Sequence, residues 1–112
     1  MTAISSVNPF DPSDQVAGCE GASAAEIDSV LAAGVAAQPG WAADPMLRLR
    51  SLSTLADEIE VRRQKFIDLM VREVGKPVAE AAGEVDRAIA ILGFYSQVPL
   101  DPVGEVVPGS VP

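Results

Sequence analysis

The chain contains no histidine and a single cysteine, Cys19, among its 112 residues. Without histidine there can be no Ser-His or Cys-His nucleophile pair, and the commonest zinc ligand is missing. One cysteine cannot form an internal disulfide, which fits a reducing compartment such as the cytoplasm. Aromatic residues are scarce, at 4%. Much of the apolar content is Ala and Val, so each buried residue gains less than Leu or Phe would. Positive charge is absent up to Leu47, whereas six acids fall in that stretch: Asp11, Asp14, Glu20, Glu26, Asp28 and Asp44. The net charge of -8 and the lack of any basic stripe argue against binding to nucleic acid or an anionic membrane. The acids read as a solvated surface rather than a docking face. No apolar run is long enough to cross a membrane, and no basic-then-apolar leader opens the chain.

Apolar residues nevertheless make up 48%, enough to exclude global disorder. Residues 1–22 read as an arm. Asn8-Pro9 and Asp11-Pro12-Ser13-Asp14 supply turn chemistry, with short extended stretches expected at 3–7 and 15–19. Residues 23–98 read as helical. Ser23-Ala24-Ala25-Glu26 has the form of a capping box, in which the serine oxygen accepts from the backbone N–H of Glu26 and the glutamate reaches back. Ile27, Val30, Leu31 and Val35 follow at helical spacing, and Pro39-Gly40 is expected to stop this first helix, placed at about 24–37. Trp41, just beyond, is expected to plug a corner between helices.

Asp44-Pro45 restarts the helix as N-cap and first-turn proline. The stripe Leu52, Leu55, Ala56, Ile59, Phe66, Leu69 and Met70 predicts one long helix over about 46–74, interrupted on its apolar face by Arg62 and Arg63, which must snorkel or pair. Gly75 suits a left-handed helix end, and Pro77 the first turn of a third helix over about 77–97. Val78, Ala81, Ala82, Val85, Ala88, Ile89 and Leu92 are expected to form the buried face of that helix, which Tyr95 continues. Residues 99–112 read as a Pro-rich extended tail, with Val103–Val107 as a possible strand. The expected fold is therefore mostly α, three helices with short β-strands at the ends.

The stretch Glu73-Val74-Gly75-Lys76-Pro77-Val78-Ala79-Glu80-Ala81-Ala82-Gly83-Glu84-Val85 resembles the aldehyde dehydrogenase superfamily. There a long helix ends in E-x-G-K-P and the next begins x-x-E-A-x-x-E-V. Asn8-Pro9, the capped Ala-rich helix followed by Trp41, and Arg48 with Leu52, Leu55, Ala56 and Ile59 resemble further landmarks in the same order. The resemblance implies an α/β parent with a Rossmann-like cofactor domain. It implies an NAD or NADP-dependent oxidation of an aldehyde to an acid by a homo-oligomeric enzyme, of which this is the N-terminal part. In that family a cysteine attacks the aldehyde, hydride passes to the nicotinamide, and a glutamate-activated water releases the acid.

No family functional residue maps onto these positions. The family's cysteine lies far downstream in a G-Q-x-C context, which Val16-Ala17-Gly18-Cys19-Glu20 does not match. The P-x-N-F-P and E-L-G-G segments and the cofactor-binding glycines would all lie beyond Pro112. The expectation is thus no catalytic, cofactor-binding or metal residue here, no NAD or NADP bound by this piece alone, and a partner in the remainder of the enzyme. Glu80 and Glu84 read as an acidic first turn that complements the helix dipole, with Arg87 placed to pair with Glu84. Lys76 reads as facing solvent and the last helix carbonyls. A small helical protein-interaction module without enzymatic activity is the alternative reading.

Overall fold

A computed structural model describes residues 3–101, together with Gly104 and Gly109. Apart from Gly104, the strand proposed at 103–107 lies outside the described residues. In order come a hairpin of β1 (Ala3–Asn8) and β2 (Asp11–Glu20), then helices α1 (Ala24–Ala43), α2 (Pro45–Val61), α3 (Arg63–Val74) and α4 (Val78–Gln97). A single 3-10 turn follows at Val98–Leu100, where Pro99 removes a backbone donor.

The arm is an antiparallel pair with Ile4 opposite Cys19 and Ser6 opposite Ala17. Register slips beyond Ser6, because β2 carries extra residues around Pro12. Side-chain oxygens close the turn. Asn8 Oδ1 accepts from the Phe10 N–H at 3.0 Å, and Asp11 Oδ1 from the Ser13 N–H at 3.1 Å. These are Asx turns, the chemistry Asn and Asp favour at such positions.

The capping box forms as its spacing dictates. Glu26 N–H donates to Ser23 Oγ at 3.3 Å, and Ser23 N–H donates to Glu26 Oε2 at 2.8 Å. The expected stop at Pro39-Gly40 does not occur, and α1 runs on to Ala43 with Pro39 inside it. Proline leaves the Val35 carbonyl without its helical donor, but Val35 is 75% exposed, so water can replace that bond. The helix ends instead where Asp44 turns extended and caps α2, accepting from the Leu47 N–H at 2.9 Å. Arg48 then donates to the Trp41 and Ala42 carbonyls at 2.7 Å each. Trp41 is correspondingly part of α1, its side chain 42% exposed, and does not plug a corner.

The long helix expected over 46–74 is two helices, so the count is four, not three. At Arg62 the backbone leaves helical geometry (φ -103°, ψ 14°), and its N–H bonds to the Ile59 carbonyl at 3.1 Å. The two arginines that interrupt the stripe go separate ways. Arg62 folds back on Glu58, while Arg63 pairs with Asp86 on α4. On either side of that break, α2 and α3 both pack against α4.

The core is small. Ile67 from α3 and Ala81 and Val85 from α4 are buried together, flanked by Ile59, Met70, Val71, Ala82 and Ile89. Ala56 on α2 is also buried. A radius of gyration of 20.1 Å contrasts with the ~13 Å of a compact domain of 100 residues. The chain is 71 Å long in its greatest dimension. α1 has no buried residue along its 20 positions.

Candidate functional site

The densest constellation lies at the corner between α3 and α4. Gly75 ends α3 in the left-handed region (φ 70°), where its N–H donates to the Val71 carbonyl at 3.0 Å. A side chain there would be strained by that φ. It would also collide with the hairpin tip, since a Cβ would sit 2.7 Å from the Phe10 ring and 2.8 Å from the Pro9 ring. Gly75 thus serves as the helix end and as the seat for the β1–β2 turn. A charge-assisted clamp backs this contact. Arg72 on α3 donates to Asp14 on β2 through Nε at 3.1 Å and Nη2 at 2.6 Å, and Asn8 Nδ2 donates to the same carboxylate at 3.2 Å. The Arg72 bonds, then that from Asn8, hold the Asp14 carboxyl below the ordinary carboxylate value, and the same pair raises Arg72.

Lys76 and Glu84 are joined across the corner, tying the connection to the second turn of α4. This replaces both expectations for these residues. Lys76 is directed at a carboxylate rather than at solvent and the carbonyls of α3. Glu84 takes Lys76 rather than Arg87 because the corner brings the lysine over the start of α4. Glu80 is exposed in the first turn of α4, as an acid that complements the helix dipole would be. Arg63 and Asp86 form the third tie. The arginine's hydrogen bond lowers the Asp86 carboxyl, and Asp86 raises Arg63. Glu26 is lowered too, first by the Ser23 backbone N–H and then by the Ser23 hydroxyl.

These groups hold chain segments together and do not converge on a reacting atom. Cys19 is exposed on β2, in a shallow groove shared with Ile4, Ser6, Ala17, Gly18 and Glu73. The described residues include no group of three or more potential metal ligands. Acidic residues stand at the N-terminal ends of three of the four helices. A pyrophosphate is commonly received at a free helix N-terminus after a glycine-rich loop. Here the first turn of α1 holds Glu26, α2 is capped by Asp44, and α4 begins with Glu80. Among the described residues no helix is long and apolar enough to cross a membrane.

Outside the corner, the helices present apolar faces to solvent. On α1 these are Ile27, Val30, Leu31 and Val35, beside a groove lined only by Ala22, Glu26, Ile27, Val30 and Leu31. On α4 they are Ile91, Phe94 and Tyr95, the two rings stacked edge to face at 5.2 Å. A second, mostly apolar groove of about 290 Å³ lies among α2, α3 and α4, lined by Ile59, Phe66, Met70, Glu84, Val85 and Ala88.

Residues 1–111 match the aldehyde dehydrogenase family. The chain belongs to that family. An α-ketoglutaric semialdehyde dehydrogenase of Bacillus subtilis is 31% identical over 92% of this chain. A succinate-semialdehyde dehydrogenase of Paenarthrobacter nicotinovorans is 40% identical over 68% of it. The bifunctional protein PutA of Salmonella typhimurium is 34% identical over 86% of it. The crystal structure of an NAD-dependent benzaldehyde dehydrogenase from Corynebacterium glutamicum superposes on 99% of the chain with a TM-score of 0.90 and 25% identity. The matched region is a small part of each. It spans 21% of the Bacillus relative, 18% of the Paenarthrobacter one, 7% of PutA and 24% of the crystallised chain. The piece is thus a partial aldehyde dehydrogenase, and the Gly-Lys-Pro corner is the part of it whose geometry accounts for the motif.

Proposed function

We propose that this segment is the hairpin and helical scaffold at the N-terminal side of an NAD(P)-dependent aldehyde dehydrogenase, and that it carries no catalytic or cofactor-contacting residue of its own. In this reading the complete enzyme oxidises an aldehyde to a carboxylic acid. Residues 1–22 form the arm, 23–98 the helical part of the cofactor-binding domain, and 99–112 the lead into the remainder. The carrying observation is α1, an apolar 20-residue helix with nothing buried, in a chain that matches its family along almost its full length. A surface of that kind is formed to be covered. The same open faces weigh against a self-contained helical module, whose apolar stripes would be expected to close on one another.

For substrate, the reading favours a semialdehyde, since two relatives at 31% and 40% identity are named for such compounds. The crystallised neighbour is named for benzaldehyde, so a panel containing both kinds of aldehyde separates the two.

The test is an assay of NADH or NADPH formation with that panel. It compares this chain alone with a chimera in which it replaces the matching segment of the Bacillus relative. The chain alone is expected to give no turnover, and the chimera to keep activity. Turnover by the isolated chain would show that the chemistry resides here after all. A chimera that folds but is inactive would mean that this segment does not fit that scaffold role.

A further inference from the structure

We draw no further inference here: the strongest candidate, the open apolar face of α1 formed by Ile27, Val30, Leu31 and Val35, carries nothing because nothing in the structure shows what covers it.

Discussion

α1 and α4 are both 20-residue helices, and α1 is the more apolar, yet only α4 has a buried side. The amount of apolar surface does not decide burial; its arrangement and the available neighbours do. On α4, Ala81, Val85 and the half-buried Ala82 and Ile89 recur along one face, and α2 and α3 supply the surfaces that meet it. On α1 the branched residues Ile27, Val30, Leu31 and Val35 share one face while alanines cover the others, and among the described helices α2 alone is packed against it. A helix apolar on most sides is stable only when enclosed on most sides. α4 is therefore organised by packing, and α1 mainly by its N-cap and by Arg48 at its last carbonyls.

The contrast is broken most strongly by Ile67→Ala. Ile67 is 5% exposed at the centre of the only core cluster among the described residues. Truncating a buried isoleucine costs about 2–5 kcal/mol, and a small core has little to spare. Urea titration followed by far-UV circular dichroism should show the α3–α4 transition lost or moved to low denaturant. An unmoved midpoint would mean that this cluster does not hold the helices together.

Gly75→Val comes next. The left-handed φ costs about 1–2 kcal/mol for a residue with a Cβ, and contact with Pro9 and Phe10 adds to it. The hairpin should come away from α3, read as loss of amide protection across residues 3–20. Retained protection would show that the tip does not rest on the corner.

Ser23→Ala sharpens the comparison from the other side. Removing a serine N-cap costs about 1 kcal/mol. Since α1 has no buried residue, this loss should appear as fraying of residues 24–30 in hydrogen exchange, with α4 unchanged.

A pH effect follows from Asp14 and Asp86. Both carboxyls are lowered when folded, so their contribution is complete above the ordinary carboxylate value of about 3.9 and fades as pH falls through the lowered values. Acidification from pH 6 to 2 should loosen the hairpin, and Asp14→Asn should remove that dependence from the amide shifts of residues 3–20. Asp86 is exposed and Asp14 only half-buried, so the effect is small and should shrink further in salt.

The smallest effect is expected for Leu31→Ala, within about 0.5 kcal/mol for the chain by itself, as for other exposed positions. In the chimera the same change should cost several-fold more if this face is enclosed there. Equal costs in the two settings would contradict the scaffold reading.

Features fixed by neighbouring residues were legible in the sequence. The Ser23–Glu26 box, the Asp44-Pro45 start and the left-handed Gly75 each depend on a few consecutive positions, and each formed as expected. Features that depend on distant partners were not. The break at Arg62 accompanies the pairing of Arg63 with Asp86, a helix away. The passage of α1 through Pro39 depends on exposure of Val35 and on Arg48 reaching back to its last carbonyls. The clamp between Asp14 and Arg72 spans 58 positions and leaves no local pattern. Of the candidate site, the Gly-Lys-Pro motif marked the right corner, whereas its ion pairs depended on the angle that the corner creates.

Gly75 also couples two stretches of chain that share no sequence neighbourhood. Any family member with a larger residue at this position would have to shrink or shift the one at position 10, so substitutions at 10 and 75 should be found together across relatives. The hydrogen atom in place of a side chain at one helix end thereby governs which hairpin tips the arm can carry.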